Sequence, residues 1–473
     1  MIGKSRSQRR RAGIERLRLR WGRRLRGARR GTVAVVAVLV AAAAVTSVPP
    51  AVAAPDTGSA SGSSRPQDFY LPPSPLPAAA PGAVLRSQRF DLALSLPGQD
   101  GRPVPAEATR IMYLSADTHD QPAAVTGMYL EPTLPWNGPG PRPLVAVAPG
   151  TQGQGDQCAP SKGFAELMHY NFPLDLWASY EIITAYALVA RGMAVVMTDY
   201  YGMGTPAVHD YINRVSEAHA VLDSVRAARS LTGIDRPAAI FGYSQGGGAA
   251  AAAAELQGDY APELDIVGTY TGAPPADPRA TLGGSEVING IVPGVIGGAA
   301  PGLVGYVLNG MVADYPEIRP VVDRNISPAG RTMLNELATT CVAEAGFRTL
   351  FRPLSWYTDG GRPIDRILDE SPEAKRIVDE QRIGGLEPTA PVLIAGGTND
   401  DTIPYPQVRQ LAVDWCRQGA TVQLDTTAWL PPLLPSLAVG HLLEYLPAVV
   451  AAHDWITQRF AGAPAPSNCN TLP

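Results

Sequence analysis

The 473-residue chain has few of the side chains that bind metal ions, and those it has do not cluster. Four cysteines lie at positions 158, 341, 416 and 469, and six histidines are scattered along the sequence. No Cys-x-x-Cys or Cys/His pair has the spacing of zinc ligands. The sequence therefore predicts neither a metal site nor another cofactor.

Charged residues are also scarce, at 17% of the chain, whereas hydrophobic residues make up 45%. This balance excludes an intrinsically disordered chain and is typical of a globular protein. The 48 glycines and 46 prolines indicate many loops, and no internal repeat is visible. A chain of this length can hold one large domain or two modest ones.

Residues 1–54 have the features of a secretory signal peptide. Thirteen Lys or Arg residues and a single acid, Glu15, precede an apolar run from Thr32 to Val48 and the small residues Ala51–Ala54. A basic region, an apolar region and a small-residue cleavage site follow one another in signal peptides. A retained membrane anchor is the main alternative, because the apolar run is only slightly shorter than a bilayer span.

Removal of the signal peptide changes the charge balance. Residues 1–54 carry a charge of +12, so a chain whose net charge is −4 leaves a mature part of −16. An acidic protein binds nucleic acid and anionic membrane surfaces poorly, so we expect no nucleic-acid partner. An even number of cysteines in an exported chain predicts two disulfides, with three possible pairings.

The mature chain divides into an arm and an alternating core. Residues 55–82 are rich in Pro, Ala and Ser and predict a tether or loosely docked arm. From residue 83 onward, short apolar runs alternate with helical patterns, which indicates an α/β fold with a mostly parallel sheet flanked by helices. The predicted strands are Thr109–Leu114, Val125–Leu130, Leu144–Ala148, Met193–Met197, Ala238–Phe241, Ile266–Thr271, Val392–Ala395 and Thr421–Leu424, and the predicted helices are Trp177–Ala190, Tyr211–Leu231 and Leu442–Phe460.

The alternation stops between residues 275 and 385. An apolar, Gly-rich stretch, Val287–Tyr306, is followed by charged helical segments up to Gly385. An insertion of this size between two late strands predicts a helical cap or lid over an active site, and an extra helical subdomain without a gating role fits the pattern equally well. The core then consists of residues 83–274 and 386–473.

The segment Gly242-Tyr243-Ser244-Gln245-Gly246 predicts a nucleophilic serine. A short strand signal precedes it and an Ala-rich helical stretch follows it, which is the strand–turn–helix context that a Gly-x-Ser-x-Gly elbow requires. The glycines leave room for the sharp turn, and the helix start directs backbone N–H groups toward a developing oxyanion.

The partners of Ser244 are expected after it, because the chain order in this fold is Ser, acid, His. Only His441 and His453 follow, and His441 lies at a loop-to-helix transition, where catalytic side chains are common. Asp400 and Asp401 come just after the predicted strand Val392–Ala395, and their spacing alone does not separate them. One of the two fits a helix-capping role near Tyr405.

These segments resemble the secretory lipase family, the lipase-A-like branch of the α/β-hydrolases, over residues 85–460. The resemblance rests on Gly-Thr-Gln-Gly-x-Gly-Asp-x-Cys-Ala-Pro-Ser at 150–161, Thr198–Gly204, the serine elbow at 242–246, Thr271–Ala276, Asp-x-x-Ile-Pro-Tyr at 400–405 and Gly-His-Leu at 440–442. It implies a helical lid before the acid-bearing strand, which corresponds to residues 275–385.

The resemblance also implies roles for individual residues. The family's acid falls on Asp400, its base on His441, and its oxyanion donors on the backbone N–H of Gln245 and on the Thr151–Gly153 loop, where we favour Gln152. It further implies the disulfides Cys158–Cys341 and Cys416–Cys469.

The sequence as a whole predicts a secreted serine ester hydrolase, either a triacylglycerol lipase or a carboxylesterase. Its substrate is expected to be a small-molecule or lipid ester with an apolar acyl group, and the cap is expected to contact a lipid interface transiently. Two alternatives are a serine peptidase on the same fold and a non-catalytic binding protein on a hydrolase scaffold.

Overall fold

The computed structural model describes residues 69–98, 101–171, 175–282, 300–350, 352–432 and 437–472. The predicted signal peptide, the arm up to residue 68 and most of the apolar Gly-rich stretch lie outside these residues. Among the helices of the described residues, none has both the length and the hydropathy that a membrane span requires.

Thirteen strands occur in the described residues. They are β1 (Val84–Phe90), β2 (Leu96–Pro97), β3 (Pro103–Val104), β4 (Ala106–Ala116), β5 (Pro122–Pro132), β6 (Leu144–Ala148), β7 (Met168–Asn171), β8 (Asp175–Ala178), β9 (Ala194–Thr198), β10 (Ala238–Tyr243), β11 (Ile266–Gly272), β12 (Val392–Gly397) and β13 (Val422–Thr427). Each predicted strand overlaps one of them, and the predicted strands at Met193 and Thr421 begin one residue too early.

One large sheet forms the centre of the fold. In the described residues its strands follow the order β1-β4-β5-β9-β6-β10-β11-β12-β13. The pairs from β1 to β9 are antiparallel, and those from β9 to β13 are parallel. The inner strands β6 and β10 are buried at every residue, as expected of parallel strands covered on both faces. The α/β-hydrolase fold that the sequence predicted is therefore present.

Helices cover both faces of the sheet and fill the connection between β11 and β12. In the described residues they are α1 (Pro160–Glu166), α2 (Ile182–Val189), α3 (Arg214–Thr232), α4 (Gln245–Tyr260), α5 (Ala300–Asp314), α6 (Arg319–Asn325), α7 (Pro328–Leu337), α8 (Val342–Thr349), α9 (Ile364–Asp369), α10 (Pro372–Glu380), α11 (Tyr405–Gln418) and α12 (Val439–Phe460). Helices α5 to α10 lie within the predicted cap segment.

The predicted helix Trp177–Ala190 is wrong in its first part. Trp177 lies on β8, which pairs with β7, and the helix begins only at Ile182. The indole is fully buried with Cys158 and Cys341. This tertiary packing outweighs the helical spacing of the neighbouring apolar residues.

Both disulfides implied by the family resemblance are present. Cys158–Cys341 joins the loop after β6 to the segment before α8, and Cys416–Cys469 joins α11 to the C-terminal segment. The described residues contain no free cysteine. The first bridge ties helices of the β11–β12 connection to a loop of the sheet.

A buried carboxylate, Glu255 on α4, anchors the chain where it leaves the β11–β12 connection. It accepts hydrogen bonds from the backbone N–H groups of Gly384 (2.6 Å) and Leu386 (3.2 Å) and from the Trp415 indole (2.9 Å). Its other oxygen pairs with Arg214 at 2.6 Å. One side chain therefore satisfies donors from three separate segments.

We expect Glu255→Ala to lower the free energy of unfolding by about 3–5 kcal/mol, because it leaves a cation and buried donors unpaired. The matched control is Glu263→Ala, since Glu263 pairs with Arg226 at 2.7 Å but is 53% exposed. That variant should lose at most about 1 kcal/mol. Chemical denaturation of both variants measures the difference, and equal losses would show that Glu255 is not an anchor.

Candidate active site

Ser244 occupies the sharp turn between β10 and α4. Its backbone angles are φ 63° and ψ −124°, a conformation that non-glycine residues rarely adopt. The Ser244 N–H donates to the Gly272 carbonyl of β11 at 2.9 Å, which holds the turn on the sheet. The side chain is partly exposed while the flanking residues are buried. The turn therefore presents the serine at the carboxyl edge of the parallel strands.

The glycines around Ser244 are required by space. A β-carbon at Gly242 would overlap the carbonyl oxygen of Gly246, and one at Gly246 would overlap the carbonyl oxygen of Ala148 on β6. Side chains at either position would push α4 away from the strand ends. The Gly-x-Ser-x-Gly pattern is thus a packing requirement of this turn.

His441 and Asp400 form a buried pair at the same edge of the sheet. Asp400 follows β12, His441 lies in the first turn of α12, and His441 Nδ1 is 2.8 Å from Asp400 Oδ2. The other Asp400 oxygen accepts the backbone N–H groups of Thr402 (2.8 Å) and Ile403 (2.9 Å). These bonds orient the carboxylate, which in turn orients the imidazole.

The pKa of His441 reflects two opposing effects. Burial by itself lowers it, but the charge and hydrogen bond of Asp400, together with the charges of Asp401 and Glu444, outweigh burial, so the pKa of His441 is raised above its ordinary value. The carboxylate therefore stabilises the protonated imidazole. A histidine held in this way can accept a proton and keep the resulting charge.

Asp401 has a different partner from Asp400. Its Oδ1 accepts the backbone N–H of His441 at 3.1 Å, so it caps the first turn of α12 and not the helix that begins at Tyr405. Burial raises the pKa of Asp401. The two neighbouring carboxylates, which spacing left undistinguished, thus contact the side chain and the backbone of the same histidine.

The serine turn and the histidine meet through Tyr243. Its hydroxyl donates to the His441 carbonyl at 2.7 Å, and the two rings lie 5.1 Å apart. In the described part of the chain no hydrogen bond joins Ser244 Oγ to the imidazole. Such bonds are often long in enzymes without substrate and tighten in the complex.

The loop after β6, where Gln152 was predicted to donate to an oxyanion, is clamped on several sides. The Gln152 side chain donates to the Gly150 carbonyl at 2.9 Å and accepts from the Trp177 indole at 2.9 Å. Its backbone carbonyl accepts the Val342 N–H at 2.8 Å. No acceptor among the described residues takes up the backbone N–H of Gln152 or that of Gln245.

Two buried glutamates near this site escaped the sequence prediction. Glu181 accepts the Gly150 N–H at 2.7 Å, and burial raises the pKa of Glu181 to about 7. Glu444 lies one turn after His441, and burial followed by the Asp400 charge raises its pKa to about 7. The only sequence signal for Glu181 is an acid beside an apolar helical run, which many surface glutamates share.

His453, the alternative base, lies away from this cluster. It is buried in the middle of α12 with its ring 5.7 Å from that of Phe241. Burial lowers the pKa of His453 to about 3. Its surroundings are those of a packing residue.

The chain is similar in sequence and in fold to known proteins. Residues 173–468 match the model of the family described as secretory lipase. A protein of Mycobacterium tuberculosis described as a probable inactive lipase is 29% identical over 84% of this chain and 82% of its own length. Lipase A of Arthroderma benhamiae is 26% identical over 85% of this chain and 81% of its own. The closed state of Candida antarctica lipase A superposes with a TM-score of 0.67 at 21% identity, over 86% and 88% of the two chains.

Proposed function

This chain belongs to the secretory lipase family, and we propose that it is a secreted serine ester hydrolase, a triacylglycerol lipase or carboxylesterase. The observation that carries the proposal is the buried His441–Asp400 pair, at 2.8 Å, beside a strained serine turn. A serine becomes nucleophilic when a correctly oriented imidazole can accept its proton.

In the proposed mechanism, Ser244 Oγ attacks the ester carbonyl while His441 Nε2 takes the hydroxyl proton. Asp400 keeps the imidazole in the required tautomer and stabilises its charged form. The backbone N–H groups of Gln245 and Gln152 hold the oxyanion. The imidazolium then protonates the departing alcohol, and water attacks the acyl-enzyme through the same base.

Export and domain layout are part of the same proposal. Residues 1–54 act as the signal peptide, residues 55–82 as the arm, residues 83–274 and 386–473 as the core, and residues 275–385 as the cap. Two disulfides in the described residues suit an oxidising compartment outside the cytosol. Exposed Phe347 and Trp356 are available on the cap for transient contact with a lipid interface.

We infer that the acyl chain occupies an apolar cavity of about 120 Å³ among the cap helices. Val304, Val307 and Met311 line it from α5. The same helix reaches the loop after β6, because Gln154 accepts from the Asn309 amide and donates to the Tyr306 carbonyl, each at 2.9 Å. Helix α5 therefore borders both the cavity and the proposed oxyanion loop.

The proposal is tested with p-nitrophenyl esters from acetate to palmitate. We expect the purified mature protein to hydrolyse the series. Val307→Phe should lower kcat/KM for the longest esters by about tenfold or more, because steric changes of this size in an apolar pocket have such effects. The kcat/KM of the same variant for the acetate ester should change by less than about twofold.

The matched control for this test is Val450→Phe, since Val450 is exposed on α12. It should leave the chain-length profile as in the wild type. An equal loss of kcat/KM for every ester in Val307→Phe would contradict the assignment of the cavity as the acyl site. A folded wild-type protein inactive on every ester would favour a non-catalytic protein, in line with the relative described as probably inactive, and activity on peptides alone would favour a peptidase.

A further inference from the structure

The side chain of Gln245, the residue after the proposed nucleophile, is held inside the protein. It is 1% exposed, and its amide nitrogen is 2.7 Å from Glu217 Oε1 and 3.0 Å from His209 Nε2. Glu217 and His209 precede the serine turn by more than 25 residues. Neither contact belongs to the mechanism proposed above.

The contacts determine which groups donate. Glu217 Oε1 also accepts the Ile212 N–H at 3.0 Å, so it acts as an acceptor and the Gln245 amide donates to it. The second amide hydrogen then points at His209 Nε2, which must accept. The His209 proton is consequently on Nδ1, where the Tyr201 carbonyl accepts it at 2.9 Å. The ring is fully buried and engaged at both nitrogens.

His209 also contacts the loop that carries the other proposed oxyanion donor. Its backbone carbonyl accepts the Gln154 amide at 3.0 Å. Its ring lies edge-on to Tyr211, with centroids 6.0 Å apart, and the Tyr211 hydroxyl is 2.7 Å from Thr151 Oγ. The imidazole thus bonds to the serine turn through Gln245, while the backbone carbonyl of His209 and the neighbouring Tyr211 connect the same residue to the loop after β6.

An oxyanion hole depends on the separation of its two donors. Oxyanion donors act at 2.7–3.1 Å, and misplacement by about 1 Å can cost about a hundredfold in rate. Here the donors belong to residues 93 positions apart, Gln152 and Gln245. A buried group that bonds to both neighbourhoods limits their relative movement.

We propose that His209 is a positioning residue that holds the Gln245 and Gln152 backbone N–H groups at the separation an oxyanion requires. The proposal rests on the serine hydrolase function above. His209 acts through the Gln245 side chain and does not touch the substrate. Its acceptor nitrogen, Nε2, is the atom on which the effect depends.

Two substitutions separate the roles of the two ring nitrogens. His209→Gln places an acceptor oxygen near the position of Nε2. The shorter side chain of His209→Asn supplies a donor near the position of Nδ1 but no acceptor near that of Nε2. We expect His209→Asn to lower kcat by about tenfold to a hundredfold with KM within about twofold, because the lost interaction matters mainly in the transition state. Affinity for a boronic acid, which mimics the tetrahedral intermediate, should fall by the same factor, and His209→Gln should retain most of the wild-type activity.

A double-mutant cycle with Gln245→Leu tests the route of the effect. If His209 acts through Gln245, the double variant should be no slower than the worse single variant. Additive losses, or equal losses of kcat in His209→Asn and His209→Gln together with a lower melting temperature, would overturn the proposal in favour of a structural role. An unchanged kcat in His209→Asn would also overturn it.

The same assays distinguish this failure from failure of the proposed function. Wild-type hydrolysis that disappears in Ser244→Ala, combined with unaltered His209 variants, rejects only the positioning role. Absence of wild-type hydrolysis in a folded protein rejects the serine hydrolase itself. The boronic acid titration needs no turnover and reports on the oxyanion site directly.

Discussion

Replacing Ser244 by Ala is expected to reduce ester hydrolysis by about 10⁴- to 10⁶-fold. The substitution removes the atom that would form the acyl-enzyme, while the serine turn can still close around alanine because the flanking glycines provide its space. The remaining rate would come from binding and the oxyanion donors. Steady-state hydrolysis of a soluble ester by wild type and variant measures the ratio.

Covalent labelling gives the same prediction a second readout. A fluorophosphonate should add one group to the wild-type protein, at Ser244, and none to the variant. Ser327→Ala is the control, because Ser327 caps α7 by accepting the Gly330 N–H at 3.1 Å and lies outside the proposed site. It should cost about 1 kcal/mol of stability and leave hydrolysis intact. Hydrolysis that survives in Ser244→Ala would remove Ser244 as the nucleophile.

Asp400→Asn is expected to lower kcat by about 10³- to 10⁴-fold. An amide in place of the carboxylate can present N–H to His441 Nδ1 and thereby select the wrong tautomer. It also removes the negative charge that stabilises the imidazolium. Asp401→Asn is the matched control, because Asp401 is the neighbouring residue and its carboxylate accepts the backbone N–H of His441 instead of bonding to the imidazole.

The Asp401→Asn variant should lose less than about tenfold in kcat, since an amide oxygen can still accept that N–H. Circular dichroism and a melting curve verify that both variants are folded. Equal losses in the two variants, or a greater loss in Asp401→Asn, would contradict the assignment of Asp400 as the partner of the base.

The pH profile of the residual activity of Asp400→Asn should shift in a defined direction from that of the wild type. His441 must be neutral to accept the serine proton, so activity rises with pH as the imidazole loses its own proton. Asp400 raises the pKa of His441 against the lowering effect of burial. Without that carboxylate only the weaker effects of the Asp401 and Glu444 charges oppose burial, so the pKa of His441 falls and the acidic limb of kcat/KM should move to lower pH. A shift to higher pH would mean that another group controls the base.

The comparison with a relative described as probably inactive makes these variants informative. This chain has a strained serine turn and, at the same edge of the sheet, an imidazole oriented by a carboxylate, which are the groups that the proposed hydrolysis would use. In a non-catalytic protein, ester hydrolysis would not depend on these side chains, so it would not fall in Asp400→Asn while persisting in Asp401→Asn. The paired substitution therefore separates an enzyme from a binding protein on the same scaffold.

Much of the fold and the serine turn could be predicted from sequence because their causes are local. Short apolar runs such as Leu144–Ala148 become strands with the predicted bounds, and glycines two positions before and after Ser244 permit the turn. Chain order then limited the candidates for the base to His441 and His453. Prediction failed at Trp177, where a contact with the distant Cys158–Cys341 bridge outweighed the local helical pattern.

The sequence by itself determined the α/β class and the serine turn, since each depends on residues a few positions apart, and chain order limited the partners of the serine to a short set. Spacing left Asp400 and Asp401 undistinguished and the family resemblance implied Asp400, but only the tertiary structure showed their different contacts, because adjacent side chains in one turn point to different partners. It also brought Glu255 to Gly384 and His209 to Gln245, pairs that are far apart in the chain. Such pairs form where packing removes water and leaves each buried polar atom to find a partner, and no local pattern records which partner that is.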